Sequence, residues 1–122
     1  MLSASDTNLA AVVSTSQGAY RVIVGRGVIE SIGAEMAAAG LNGRAYVVAD
    51  QALFPAGVRR CQEALEAGGF PAHVLTIPSG AQTKSLDTAR HVWEWLAAQR
   101  AERRDVVVAL GGGVTGDLAG FV

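Results

Sequence analysis

Short apolar runs rich in β-branched residues alternate with longer amphipathic stretches along most of this chain. The runs predict strands at 9–15, 20–25, 44–50, 72–77 and 105–110. The longer stretches place apolar residues three and four positions apart and predict helices at 27–39, 55–67, within 84–101 and from about 114 onward. Strands that alternate with helices in this way predict a parallel sheet covered on both faces.

The amino-terminal part departs from this alternation. Only Ser-Gln-Gly-Ala at 16–19 separates the first two predicted strands, which favours an antiparallel hairpin. Most of residues 1–8 are small or polar, and we expect this segment to form a flexible tail. The predicted fold is therefore α/β, a Rossmann-like parallel sheet flanked by helices with an N-terminal β-hairpin, in a domain spanning 9–122.

Three predicted helices carry apolar stripes. In the helix predicted at 55–67 the stripe consists of Val58, Cys61, Ala64 and Leu65. In the helix predicted at 27–39 a shorter stripe consists of Ile29, Ile32, Met36 and Ala37. The stripe predicted within 84–101 consists of Leu86, Ala89, Val92, Trp93, Leu96 and Ala97. Trp93 is therefore expected in the core, and Trp95, about 160° further round the helix, at an interface.

Composition narrows the class of protein. The net charge is −1 and the basic residues are scattered, so no nucleic-acid footprint is present. No apolar run approaches the roughly 20 residues of a membrane span. Cys61 is the single cysteine, which suits a reducing compartment, and we expect a cytoplasmic protein. His73 and His91 have no partner at ligand spacing, so we predict no metal site here.

A glycine-rich turn follows the last predicted strand. In VALGGGVTGD, Gly111, Gly113 and Gly116 satisfy the G-x-G-x-x-G spacing, which lets a phosphate approach open backbone N–H groups at a helix start. The alternative is a plain tight turn between strand and helix, which would show the same glycine spacing. Asp117, expected in the first helical turn, is either a helix-start charge or a partner for a ribose or amide.

The stretch SGAQTKSL contains Lys84, the single lysine among ten basic residues. An ammonium group is a compact point charge, whereas a guanidinium is a wide planar fork, so a pocket can require lysine. The alternative is a surface lysine that persists in an arginine-rich chain.

These segments together resemble the amino-terminal domain of the 3-dehydroquinate synthase family. The resemblance rests on VALGGGVTGDLAGFV, on IPSGAQTKSL about 30 residues upstream and on VVAD before that, in matching order and spacing. Sugar-phosphate cyclases and iron-type alcohol dehydrogenases share the triple-glycine turn, but GDLAGF is closer to dehydroquinate synthases. Members of the family are longer, and the last predicted helix ends on apolar Phe121 and Val122. We therefore expect an incomplete domain, with the C-terminal helical domain missing.

The resemblance implies an NAD- and metal-dependent lyase of the shikimate pathway. It would convert 3-deoxy-arabino-heptulosonate 7-phosphate to 3-dehydroquinate and phosphate, as a homodimer. The divalent metal, zinc or cobalt, would be bound outside 1–122, and this part alone is expected to be inactive, with no catalytic residue of its own. The alternatives are a related cyclase or polyol dehydrogenase, or a non-catalytic nucleotide-binding module.

The resemblance also implies which residues bind NAD. The pyrophosphate would be wrapped by Gly112, Gly113, Val114, Thr115 and Gly116. Asp117 would face the ribose–nicotinamide side, Asp50 would accept from the adenosine ribose hydroxyls, and a second cofactor loop would contain Gly80, Gln82 and Lys84.

Three positions of that second loop depart from the family pattern, and at one of them Thr83 replaces what is often a larger residue. An aspartate is usual where Ser79 stands and a glutamate where Ala81 stands. Alanine cannot accept a hydrogen bond, so these departures bear on the adenosine contacts more than on the pyrophosphate contacts.

Overall fold

The computed structural model describes residues 9–122. Its strands are β1 Leu9–Thr15, β2 Gly18–Ile23, β3 Ala45–Asp50, β4 Ala72–Ile77 and β5 Val106–Leu110. Its α-helices are α1 Ile32–Ala38, α2 Ala56–Ala67, α3 Leu86–Ala98 and α4 Gly113–Phe121. Single 3₁₀ turns lie at Val28–Ser31, Gln51–Leu53 and Ala81–Thr83. The tail predicted at 1–8 lies outside the described residues.

The predicted fold class is confirmed. β3 lies at the centre of a parallel sheet of order β4-β3-β5, with Val47 opposite both Val74 and Val108. β1 and β2 form a separate antiparallel hairpin. β2 begins at Gly18, two residues before the prediction, because the glycine takes a positive φ of 133° and shortens the turn.

The parallel sheet is covered on both faces, because successive residues of β3 point in opposite directions. Ala45, Val47 and Ala49 pack with α1 and α2 in one apolar cluster. Val48 packs on the opposite face with residues of α3 and α4. All four are fully buried, which explains why β3 is a continuous apolar run. The α2 stripe is confirmed, since Val58, Cys61, Ala64 and Leu65 are all buried.

The helix predicted at 27–39 is divided in two. A 3₁₀ turn occupies Val28–Ser31 and the α-helix begins only at Ile32. The Ser31 hydroxyl donates to the Val28 carbonyl oxygen at 2.7 Å, a local bond that competes with regular helix geometry. Met36 is buried as predicted, but Ala37 is exposed.

The predicted positions of the two tryptophans are wrong. Trp93 is 43% exposed and contacts Phe121, with ring centroids 5.8 Å apart. Trp95 packs against the α3–α4 side of the core and meets Tyr46 edge-on at 5.6 Å. In α3, a stripe through positions 92 and 96 and a stripe through positions 93 and 97 both have helical spacing. The fully buried Tyr46 ring favours burial of the first stripe. Leu86 (71% exposed) and Ala97 are consequently also outside the core.

Candidate nucleotide site

Loops after all three parallel strands meet at one edge of the sheet. α2 connects β3 to β4 across one face, and α3 connects β4 back past β3 to β5 across the other. The strand order therefore reverses at β3, and ligands of open α/β sheets bind outside the carboxyl ends of the strands at such a point. Asp50 ends β3, residues 78–85 follow β4, and Gly111 and Gly112 follow β5.

Gly111 brings the β5 turn against the end of β3. Its φ is +156°, and a Cβ built on it would lie 2.6 Å from Thr115 Oγ1 and 3.1 Å from Asp50 Cβ. Thr115 is itself buried, so it could not move away easily. The fold therefore requires glycine at 111, where it juxtaposes the glycine-rich turn and Asp50.

The other glycines of the turn have no such packing reason. A Cβ built on Gly112, Gly113 or Gly116 has no heavy atom of the described chain within 4 Å. None of the three has a positive φ. Inside a helix glycine costs roughly 0.8–1 kcal/mol relative to alanine. Residues 9–122 therefore supply no structural need for glycine at these positions, and an approaching ligand would supply one.

The start of α4 is open to an anion. Gly112 is its N-cap and offers no side-chain acceptor, and the first backbone bond of the helix is Gly116 N–H to Gly112 O at 3.1 Å. The N–H groups of the first turn therefore lack intrahelical partners and point outward with the helix dipole. Asp117 was expected in this first turn but lies in the second, so it does not oppose an anion there. Val114 lies in the first turn, and its side chain is half-buried.

Asp50 presents a carboxylate at the end of β3. Its Oδ1 accepts hydrogen bonds from the Ser79 hydroxyl and from Ala52 N–H, the latter at 2.9 Å. These bonds, the one from Ser79 first, hold the pKa of Asp50 below its usual value of 3.8. No described residue donates to Oδ2. Asp50 is thus an ionised acceptor with one oxygen available.

The loop after β4 is held by its own side chains. Gly80 has a φ of +103°, and Gln82 folds back so that its Nε2 donates to the Ser79 carbonyl oxygen at 3.3 Å. Thr83 is buried and donates from Oγ1 to the Pro78 carbonyl oxygen at 2.6 Å. This anchoring role of Thr83 was not predicted, because a threonine six residues after a strand gives no local signal of it. Ala81 is exposed and begins the 3₁₀ turn.

Lys84 and Asp117 connect the two predicted cofactor loops. Lys84 Nζ lies 2.9 Å from Asp117 Oδ2. The side chains are 58% and 62% exposed, and exposed ion pairs contribute only about 0–1 kcal/mol to stability. The pair therefore matters more for arranging the loops than for the stability of the fold.

A cleft of about 370 Å³ lies beside this ion pair. Its lining is mostly apolar beyond the charged pair and is formed by Lys84, Ser85, Leu86, Asp117, Leu118 and Phe121. Leu86 and Phe121 were not predicted to line this cleft. The only sequence signal for them would have been an apolar side chain at a helix position that does not face the core.

Neither a cluster of metal-ligand side chains nor a membrane-spanning helix is found among residues 9–122. Within 9–122, no three histidine, cysteine or carboxylate side chains come close enough together to hold a metal ion. His73 stacks on Tyr46 at 5.4 Å, and His91 is exposed. No helix in this part of the chain combines the length and apolar character needed to cross a bilayer.

The site as a whole has the parts of a nucleotide-binding α/β domain. Contacts from Gly111 to Asp50, from Ser79 to Asp50 and from Lys84 to Asp117 bring all three loops together. An open helix start and an acceptor at the end of the neighbouring strand are the parts that hold a pyrophosphate and a ribose in this class.

Comparisons with known proteins show which family this chain resembles. Residues 74–122 match the model of the 3-dehydroquinate synthase N-terminal family. The 3-dehydroquinate synthase of Ruegeria pomeroyi is 39% identical over 109 residues, which is 89% of this chain and 30% of the relative. That of Agrobacterium fabrum is 38% identical over the same share of this chain and 29% of its own length. Over most of its length the chain is therefore similar to 3-dehydroquinate synthases, and it spans about a third of the length of these relatives.

A solved structure supports the fold. The crystal structure of 2-deoxy-scyllo-inosose synthase complexed with carbaglucose-6-phosphate, NAD⁺ and Co²⁺ superposes with a TM-score of 0.78 at 25% identity. The superposition covers 90% of this chain and 30% of that one.

Proposed function

We propose that this chain is the NAD-binding part of a longer 3-dehydroquinate synthase. The whole protein would convert 3-deoxy-arabino-heptulosonate 7-phosphate to 3-dehydroquinate and phosphate, as a cytoplasmic homodimer of the shikimate pathway. The proposal draws on the identity of about 40% to curated 3-dehydroquinate synthases and on the nucleotide site at the sheet edge.

The cofactor proposal rests on one observation, which is that the fold of residues 9–122 does not require glycine at three positions of the turn. Gly112, Gly113 and Gly116 face open space beside uncapped N–H groups. A pyrophosphate bound there would need the backbone bare of side chains, and it would give those N–H groups acceptors. Val114 and Thr115 would contribute backbone N–H groups only, because the Thr115 side chain is buried against Gly111.

The remaining contacts fit the two ends of NAD. Asp50 Oδ2 would accept from the adenosine ribose hydroxyls. Lys84 and Asp117 would lie towards the nicotinamide half and exchange their mutual ion pair for contacts with the cofactor. Gly80 and Gln82 would shape the loop that carries Lys84, since the Gln82 amide is already bonded within that loop. NAD supplies transient hydride acceptance when bound.

The described residues do not fit the second expected cofactor, a divalent metal. No suitable ligand group exists within 9–122. We therefore propose that zinc or cobalt is bound by the remainder of the protein, and we assign no catalytic residue to this chain.

A related sugar-phosphate cyclase is the second candidate. The neighbour complexed with NAD⁺ and a glucose 6-phosphate analogue has the same fold at 25% identity. A set of substrates offered to the natural protein with NAD and Co²⁺ or Zn²⁺ discriminates the two candidates. Phosphate release from the heptulosonate 7-phosphate, with 3-dehydroquinate as product, supports the proposal. Phosphate release from glucose 6-phosphate alone would favour the cyclase, and no reaction with either would reject both.

A further inference from the structure

Ser79 is the nearest side chain to the Asp50 carboxylate that has no assigned role. Asp50 pairs with Ile77 across β3 and β4, so Ser79 stands two residues beyond the last pair of the sheet. From this half-buried position its hydroxyl donates to Asp50 Oδ1. The contact joins the ends of two neighbouring strands.

The two donors of Asp50 act on the same oxygen. Ala52 N–H bonds to Oδ1 within the short 3₁₀ turn that Asp50 caps, and the Ser79 hydroxyl bonds to Oδ1 from the neighbouring loop. A single donor leaves a carboxylate free to rotate, whereas donors from two directions restrict it. The second oxygen is then left for an external donor.

The surroundings of Asp50 also disfavour an added phosphate. No lysine or arginine forms an ion pair with Asp50 within the described residues. A ribose hydroxyl can donate to a carboxylate, but a 2′-phosphate next to it would meet like charge without compensation.

We propose that Ser79 is a positioning residue that orients the Asp50 carboxylate toward the adenosine ribose hydroxyls and thereby sets the preference for NAD over NADP. The inference rests on the proposed function, because it requires that the site binds NAD. Ser79 itself does not touch the cofactor in this account.

The test measures dissociation constants in the natural protein by calorimetry with four probes: NAD, NADP, ADP and 2′,3′-dideoxy-ADP. The wild type should prefer ADP over the dideoxy analogue by about tenfold, the effect of one good hydrogen bond to a charged group. Ser79→Ala should reduce this ratio to about twofold and should weaken NAD binding, while Ser79→Thr, which keeps the hydroxyl, should restore both.

A matched control and a double variant separate positioning from general damage. Ser31→Ala removes another half-buried serine hydroxyl bond, one made to the Val28 carbonyl oxygen and not to a residue of the site, and should leave all four constants unchanged. In an Asp50→Asn background, Ser79→Ala should have no further effect on the ribose preference, because there is no carboxylate left to orient.

The possible failures are distinguishable. A wild type that binds no NAD rejects the proposed function together with this inference. A wild type that binds NAD, with a Ser79→Ala variant that keeps the full ribose preference, overturns the inference alone. Independent effects of the two substitutions in the double variant would overturn it as well.

Discussion

Lys84 shows how much a single residue type can indicate. As the only lysine in an arginine-rich chain it was singled out before its surroundings were known, and the structure places its ammonium 2.9 Å from Asp117. Both residues were predicted to contact the cofactor, but their pairing was not foreseeable. It depends on how α3 and α4 approach one another across 33 positions of sequence.

We predict that Lys84→Ala weakens NAD binding at least about tenfold in the natural protein while the melting temperature changes little, since an exposed pair contributes only about 0–1 kcal/mol. Calorimetric titration together with thermal unfolding checks both parts. Arg90→Ala is the matched control, because Arg90 is an exposed cation on α3 whose nearest carboxylate oxygens are 3.9 Å away. Unchanged NAD affinity in Lys84→Ala would contradict our account of the lone lysine.

At the scale of elements, the buried pattern of β3 and α2 could be predicted because each has one possible register. β3 is a buried apolar run up to its final residue, Asp50, and α2 has a single stripe, and both predictions are confirmed. α3 has two overlapping stripes of similar apolar content, and only the tertiary contact with Tyr46 decides which of them is buried. This is why Trp93 and Trp95 were assigned the wrong way round.

The crossing of α1 over the end of α2 depends on two glycines. A Cβ on Gly33 would lie 2.5 Å from the Ala64 carbonyl oxygen and 2.8 Å from Gly68 Cα. Backbone atoms cannot yield cheaply, so we predict that Gly33→Ala lowers the free energy of unfolding by roughly 1–3 kcal/mol. Denaturant unfolding measures this. Gly120→Ala provides the comparison for space alone, because Gly120 also lies in a helix, has no positive φ and has no atom within 4 Å of its Cβ position. A stable Gly33→Ala variant would show that the helices can separate.

Asp105 connects the amino ends of β3 and β5. Its Oδ1 accepts from Arg44 N–H at 2.9 Å and its Oδ2 from Glu102 N–H at 2.7 Å. These bonds, the one from Arg44 first, lower the pKa of Asp105 below its usual value of 3.8. A lowered folded-state pKa means that the ionised form stabilises the fold at pH values above the unfolded-state pKa, and that this stabilisation is lost as pH falls through the folded-state pKa.

We therefore predict that Asp105→Asn is less stable than the wild type at neutral pH and that the difference shrinks as the pH falls from the unfolded-state pKa of an aspartate through the lowered folded-state pKa of Asp105. Unfolding curves at a series of pH values test this. NAD affinity should stay unchanged, because Asp105 lies at the amino ends of the strands, opposite the candidate site. A stability difference independent of pH would contradict the assigned role of the carboxylate.

At the scale of the whole molecule, topology explains why the site could be located from sequence. The alternation of strands and helices predicts parallel strands, and parallel strands bring every loop that follows a strand to the same edge. The glycine-rich turn was placed at that edge on this basis, whereas the roles of Asp50 and the 78–85 loop were implied by the family resemblance, and the structure brings all three into contact. The role of each individual glycine could not be predicted from the sequence. Gly111 is needed for packing, whereas the other glycines are not, and only coordinates separate these cases.

The central claim is that the glycines at 112, 113 and 116 serve a bound NAD and not the fold. The most direct test compares the NAD affinity and the stability of Gly113→Ala with those of Gly120→Ala in the natural protein. Gly120 lies in the same helix with equally open space around it, at the far end from the site. Neither variant should lose stability, since alanine is the better helix former.

The account predicts that Gly113→Ala binds NAD at least about tenfold more weakly than the wild type, whereas Gly120→Ala stays within about twofold. Wild-type affinity in Gly113→Ala, or a natural protein that binds no NAD at all, would contradict it.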